Sequence, residues 1–242
     1  MWIIDFPPGM SESEAAFYEA PFEYAKERAK DVHEAKGVHK ESRRHTYATS
    51  WWIHGRPRPV MRHALIGLQR YLATPRVTKH RLFAWLPTRV LPDSALIAFA
   101  REDDYFFGVM HSRVHELWAR GTGTQLREAA SGFRYTPSSC FDTFPFPMPS
   151  AEQEETIAVA AKELNELRET WLNPKGLVSD KDLKKRTLTN LYNERPTWLD
   201  NAHRQLDRAV LAAYGWPKDM DDAELLKNLL GLNLEREPAG AS

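Results

Sequence analysis

Residues 51–86 have the sequence WWIHGRPRPVMRHALIGLQRYLATPRVTKHRLFAWL, which combines tryptophans, arginines, a proline-rich turn and an aromatic run. The segment 38–90 around it, called the basic stretch below, has eleven Lys and Arg side chains and one acid, a net charge of +10. Because the whole chain is neutral, the other residues have a net charge of −10. A basic surface segregated in this way is typical of proteins that bind polyanions, although a solvated basic face has the same composition.

The basic stretch also predicts most of the local structure near it. Residues 46–53 are rich in β-branched and aromatic side chains and predict a strand, in which Trp51 and Trp52 belong to the core rather than to a stacking surface. Pro59 is suited to the first position of a helix that extends to Tyr71. Residues 81–86 and 95–99 are two short apolar runs that predict core strands.

Helices are predicted on both sides of these strands. Residues 2–6 predict a short apolar strand, and Ser11 with Glu14 forms a capping-box pattern that starts a helix. Asp103 and Asp104 can cap a helix that ends before Gly121. Further helices are predicted at 22–36, 152–172, 180–194, 197–214 and 221–230. We therefore expect an α+β fold, a small mixed β-sheet with helices followed by an α-helical bundle, with a domain boundary near Ser150.

Composition limits the class of protein. A chain of 242 residues with 42% hydrophobic residues can form one large domain or two modest ones. The single cysteine, Cys140, excludes an internal disulfide and a thiolate metal cluster, and we expect it to be a buried thiol. The chain has no secretory signal pattern and no run of about 18–20 apolar residues, so we expect a cytoplasmic protein without a membrane span.

The sequence contains no recognisable catalytic centre. Neither a phosphate-binding G-x-x-x-x-G-K-[ST] loop nor a G-x-G-x-x-G turn is present. His111 and His115 are four residues apart on a predicted helix, but no third metal ligand accompanies them. The acidic residues do not form the cluster that a metal-dependent nuclease requires. We therefore predict no catalytic residue and no metal site in this chain, which has the features of a binding protein.

Several longer motifs resemble one protein family. The runs WWIHGRPRPVMRHAL, RYLATPRVTKHRLFAWLP, FGVMHSRVHELWAR, RYTPSSCFDTFPFP and LDRAVLAAYGWPKD are similar, in the same order, to the C-terminal part of MmeI-like (type IIG and type IIL) adenine-specific DNA methyltransferases, which are fused restriction–modification enzymes. By this resemblance, residues 1–45 correspond to the end of the methyltransferase domain and a linker helix. Residues 46–150 correspond to the DNA target recognition domain, and 151–242 to the C-terminal helical domain.

The catalytic motifs of this family are absent from the sequence. The cofactor-binding F-x-G-x-G motif and the catalytic N-P-P-[YF] motif do not occur in this sequence. The resemblance therefore implies a specificity module that binds double-stranded DNA and holds no cofactor, whereas the parent family uses S-adenosylmethionine. Two alternatives remain open: a subunit of a split, active methyltransferase whose catalytic half is supplied in trans, and a non-functional remnant.

Two groups of residues are the candidate site. In the resembled enzymes the segment before the R-Y-[ST] motif contacts bases, and here that motif begins at Arg134. Gln and Arg side chains suit adenine and guanine edges, respectively. The candidates for base readout are Thr124, Gln125, Arg127, Ser131 and Arg134. The candidates for contacts with the DNA backbone are Arg56, Arg58, Arg62, Arg76, Lys79, His80 and Arg81.

Overall fold

The computed structural model describes residues 3–30, 50–125, 132–176 and 179–236. The protein divides into two units, Met1–Ile66 and Gly67–Ser242. Both units contain helices, and the β-strands of the described residues all belong to the second unit. The predicted α+β class is confirmed. No helix within the described ranges is long and apolar enough to span a membrane.

The first unit is built from short helices. They are α1 (Glu12–Ala16), α2 (Glu19–Ala25), a π-helical turn (Lys26–Lys30) and α3 (Pro59–Ala64). The predicted capping box is confirmed, since Glu14 N donates to Ser11 Oγ (3.2 Å) and Ser11 N donates to Glu14 Oε2 (2.8 Å). Trp51 is buried with Phe22, and its indole N–H donates to Glu12 Oε1 at 3.2 Å, as expected of a core residue.

Three predictions for this part of the chain are wrong. Residues 3–6 form no strand, because the described part of this unit offers no strand to pair with them. Residues 50–53 form a turn, in which Ile53 N donates to Ser50 O, while the rest of the predicted strand lies outside the described residues. The helix that begins at Pro59 ends at Ala64, well before Tyr71. Of the predicted helix 22–36, residues 31–36 lie outside the described residues.

Two antiparallel sheets begin the second unit. The first has the order β3–β1–β4, from β1 (Arg70–Pro75), β3 (Ala84–Pro87) and β4 (Leu96–Phe99), with Leu72 opposite both Trp85 and Phe99. The second sheet has the order β2–β6–β5, from β2 (Val77–Thr78), β5 (Thr124–Gln125) and β6 (Phe133–Arg134). The central strand β1 is buried on both faces at Tyr71, Leu72 and Ala73, which stabilises an extended chain where helical spacing had predicted a helix.

The second unit also contains eight helices within the described residues. They are α4 (Asp104–His111), α5 (Arg113–Thr122), α6 (Pro137–Cys140), α7 (Ala151–Leu172), α8 (Asp180–Lys185), α9 (Leu188–Glu194), α10 (Thr197–Ala213) and α11 (Asp222–Arg236). The predicted single helix 103–120 is broken at Ser112, whose side chain accepts from His115 N and starts a new helix. The predicted helix 180–194 is likewise two helices, because Thr187 caps α9.

One hydrophobic core unites the second unit. It extends from Leu72 in β1 to Leu229 in α11 and includes Cys140, which is buried as predicted. Gly108 in α4 allows a close helix contact, since a β-carbon there would lie 2.7 Å from Ile157 Cγ2 of α7 and 3.2 Å from Leu206 Cδ1 of α10. This core crosses the predicted domain boundary near Ser150, and the predicted division of function between 46–150 and 151–242 stays a prediction.

Candidate nucleic-acid interface

The second sheet presents a row of three exposed side chains. Arg134 lies on the middle strand β6, opposite Val77 of β2 on one side and Thr124 of β5 on the other. Directly opposed residues in an antiparallel sheet point to the same face. All three side chains are exposed, and Val77 keeps 45% of its surface accessible. A donor-rich guanidinium is therefore flanked by an apolar side chain and a hydroxyl, a combination that can contact base edges and thymine methyl groups.

Two glycines let these short strands approach each other. Gly132 has a φ of +83°, and a β-carbon there would overlap the Thr78 carbonyl and lie 2.7 Å from Lys79 N. A β-carbon at Gly123 would lie 2.6 Å from Ala119 O and 2.8 Å from Phe133 Cδ2. The sheet thus depends on two positions where the absence of a side chain is required.

The opposite face of the sheet is anchored in the core. Phe133 and Tyr135, which precede and follow Arg134 in the chain, are fully buried. His115 Nδ1 lies 2.9 Å from the Met110 carbonyl and therefore donates, so its Nε2 accepts the hydroxyl of Tyr135 at 3.0 Å. Burial lowers the pKa of His115 to about 3 and keeps the ring neutral. His115 thus holds the buried Tyr135 beneath the sheet that carries Arg134.

The side chain of Arg81 is too buried to contact a phosphate of DNA. Its side chain is only 4% exposed, and Nη1 donates to Thr74 Oγ1 (2.9 Å) and to the Pro75 carbonyl (2.6 Å). The guanidinium lies over the rings of Phe133 and Tyr135, with distances of 4.7 and 4.9 Å to the centroids. Desolvation lowers its pKa to about 10, so it keeps its charge at neutral pH. The geometry gives its predicted role at the DNA backbone no support and indicates a role in packing.

Lys79 and His80 lie at the end of β2 and share one partner. Lys79 Nζ donates to Asn193 Oδ1 at 2.9 Å, and His80 Nε2 lies 2.8 Å from the same oxygen. Arg120 approaches from α5, where Nη2 donates to the Lys79 carbonyl at 3.4 Å and to Glu116 Oε1 at 2.6 Å. Lys79, His80 and Arg120 are therefore gathered beside the sheet that carries Arg134.

The other predicted backbone contacts are distributed over both units. Arg76 precedes β2 and donates from Nε to the Ser94 carbonyl at 3.2 Å. In the first unit, Arg56 and Arg58 are exposed, whereas Arg62 makes a two-pronged ion pair with Asp5 at 2.7 and 2.8 Å. The ion pair occupies the fork of Arg62 that a phosphate would need. The roles of Arg56, Arg58 and Arg76 stay a prediction.

Part of the predicted base-reading segment cannot be compared with the structure. Arg127 and Ser131 lie outside the described residues, and for Gln125 the structure gives the strand position in β5. Three residues of the site, Val77, Arg120 and Asn193, were not predicted from the sequence. Val77 lies in no sequence pattern that would mark it as a binding residue. Asn193 is 114 positions from Lys79, so only the tertiary fold brings Lys79 and Asn193 together.

Comparison with known proteins identifies relatives of this chain. A family model described as "MmeI, target recognition domain" matches residues 25–148, which include Val77, Thr124 and Arg134. "DNA methyltransferase A" of Bacillus subtilis (strain 168) is 32% identical over 133 residues, which is 54% of this chain and 13% of that protein. The chain therefore spans a small part of this relative.

A solved structure has a similar fold. It is titled "Structure of Type IIL restriction-modification enzyme MmeI in complex with DNA has implications for engineering of new specificities". The match has a TM-score of 0.71 and 22% sequence identity, and it covers 94% of this chain and 28% of that one. The two sheets and the helices that follow thus have a counterpart of the same fold in a much longer protein.

Proposed function

Because the chain belongs to the family of MmeI target recognition domains, we propose that it binds duplex DNA and supplies the sequence-reading part of an adenine-specific DNA methyltransferase of a restriction–modification system. The observation that carries this proposal is the exposed row Val77–Arg134–Thr124, with Lys79, His80 and Arg120 gathered beside it. Base edges give sequence choice and phosphates give affinity and orientation. The site offers side chains for both.

Arg134 is the residue that we expect to read a base. Among the described residues, no carboxylate lies within 4.0 Å of its guanidinium, and its neighbours on both strands leave it exposed. An exposed guanidinium can donate two parallel hydrogen bonds to the O6 and N7 of guanine, which discriminates against other bases by about 1–3 kcal/mol. Thr124 and Val77 border it and suit a hydroxyl contact and a thymine methyl contact, respectively.

Fluorescence anisotropy with a labelled duplex of random sequence tests this function. We expect binding at about 50 mM salt, in the weak range typical of non-specific association, and a steep loss of affinity as salt rises. Lys79→Ala should weaken binding several-fold and make the plot of log K against log salt less steep by about 0.9, whereas Arg134→Ala, at a base edge, should leave that slope nearly unchanged. Arg204→Ala removes an exposed arginine that is paired with Asp200 on α10 and should have little effect. Absence of duplex binding by the unaltered chain would overturn the proposal.

We further propose that methyl transfer needs a catalytic part that this chain does not contain. Support comes from the missing N-P-P-[YF] and F-x-G-x-G motifs, and from the small share of the relatives that the chain spans. The cofactor S-adenosylmethionine would then be held by that part, which would also receive the flipped adenine. A role on DNA favours a cytoplasmic location. Methylation of duplex DNA by this chain alone with S-adenosylmethionine would contradict the proposal.

A further inference from the structure

Asn193 joins the C-terminal helices to Lys79 and His80 beside the second sheet. Its Oδ1 accepts from Lys79 Nζ at 2.9 Å and lies 2.8 Å from His80 Nε2. An ammonium group only donates, so the atom that faces Lys79 must be the amide oxygen, and His80 must then donate from Nε2. The geometry therefore fixes the amide orientation of Asn193 and the protonated ring nitrogen of His80.

The partner of Lys79 leaves its charge available. Asn193 is neutral, and within the described ranges no carboxylate lies within 4.0 Å of Lys79 Nζ. One of the three ammonium N–H groups is used by the amide, so two remain for another acceptor. A carboxylate at this position would hold Lys79 equally well but would cancel the charge that a phosphate requires. An amide is thus suited to holding a lysine that binds an anion.

Helix α9 is firmly attached to the core. Leu191 is fully buried, and the hydroxyl of the buried Tyr192 lies 2.8 Å from His111 Nε2 and 2.9 Å from His203 Nε2. Arg168 Nη1 adds a contact of 3.0 Å to the same nitrogen of His111. Asn193 follows Tyr192 directly, so its side chain projects from a rigid point. A flexible lysine held from such a point loses less entropy when it binds a ligand.

We propose that Asn193 is a positioning residue for DNA binding, which holds Lys79 against a phosphate of the duplex and fixes the ring of the adjacent His80. This inference rests on the proposed function and extends it, because it assigns part of the DNA grip to a helix of the C-terminal region.

The test is a double-mutant cycle measured with the full chain and a labelled random-sequence duplex, for which phosphate contacts dominate. Asn193→Ala should weaken binding about three- to tenfold, the loss expected for hydrogen bonds of this kind. In a Lys79→Ala/His80→Ala background the same substitution should change binding less than about twofold, because the residues that it positions are gone. Asn190→Ala on the same helix is the matched control and should bind like the unaltered chain.

A charge variant separates positioning from a merely structural role. Asn193→Asp keeps the oxygen acceptor but neutralises Lys79, so it should bind more weakly than Asn193→Ala and make the salt dependence less steep by about 0.9. A structural role alone would leave Asn193→Asp close to the unaltered chain, and that result would overturn the inference even if Asn193→Ala unfolds. Equal effects of Asn193→Ala in both backgrounds would also overturn it. If the unaltered chain does not bind duplex DNA, the proposed function itself fails.

Discussion

Gly132 allows the backbone of β6 to approach β2 where the exposed row is formed. A β-carbon at this position would overlap the Thr78 carbonyl, and the φ of +83° is unfavourable for any residue with a side chain. Gly67 has a similar φ of +88°, but no atom lies within 4 Å of a β-carbon built on it. Substitution of these two glycines therefore distinguishes two free-energy costs. Both positions share the cost of the backbone conformation, whereas only Gly132 adds the cost of steric overlap.

We expect Gly132→Ala to lower the free energy of unfolding by about 2–5 kcal/mol, because conformational strain and overpacking add. Gly67→Ala should cost only about 1 kcal/mol, the strain contribution alone. Urea denaturation followed by circular dichroism measures both values. Equal losses in the two variants would show that Gly132 is needed for its φ and not for the close approach of the strands.

At the scale of elements, α4 packs closely against α7 and α10 at Gly108. A β-carbon on Gly108 would lie 2.7 Å from Ile157 Cγ2 and 3.0 Å from Ala161 Cβ. Gly231, inside α11, has open space around it. Alanine is intrinsically better than glycine in both helices by about 1 kcal/mol, so the opposite signs expected here come from packing.

We expect Gly108→Ala to destabilise the protein by about 1–3 kcal/mol, because the added methyl group forces the three helices apart. Gly231→Ala should stabilise it by up to about 1 kcal/mol. Thermal unfolding monitored by circular dichroism gives the two shifts in Tm, with the unaltered chain as reference. A stabilised Gly108→Ala variant would mean that the helices can separate at no cost.

The sequence predicted elements well where the signal is local and poorly where it is not. The capping box at Ser11 and the helix 152–172 are set by neighbouring residues, and both are present. Strand β1 was mistaken for a helix end because Leu65, Leu68 and Leu72 fit helical spacing, whereas partners on two distant strands decide its structure. No local sequence pattern predicts the two-residue strands of the second sheet or the hydrogen bond from Lys79 to Asn193.

For the second unit as a whole, buried histidines make stability depend on pH. Burial lowers the pKa values of His115 and His203 to about 3 and that of His111 well below its usual value. Their pKa values in the unfolded chain are about 6.5, so unfolding takes up protons below that pH. The contribution of the neutral histidines to the free energy of unfolding is therefore fully present above pH 6.5 and is lost as the pH decreases from 6.5 towards 3. The half-buried Asp207, whose pKa is raised to about 6 by desolvation, acts in the opposite direction between 3.8 and 6.

Between pH 7 and pH 5 we expect each of these histidines to reduce the free energy of unfolding by about 2 kcal/mol, and Asp207 to offset part of that loss. Urea titrations at the two pH values measure the sum. His203→Gln can accept a hydrogen bond without taking up a proton, so it should show a smaller difference between the two pH values. An equal difference in the variant would mean that His203 stays neutral in both states or charges inside the fold.

The continuous core from Leu72 to Leu229 has a consequence for exchanging DNA specificity between relatives. A chimera joined near Ser150 would take Lys79 from one parent and Asn193 from the other, and would combine α4 and α7 surfaces that were never matched. A junction between Ile66 and Gly67 keeps each of these pairs within one parent. Specificity is thus inherited together with the helices behind it, and a transplant has to carry both.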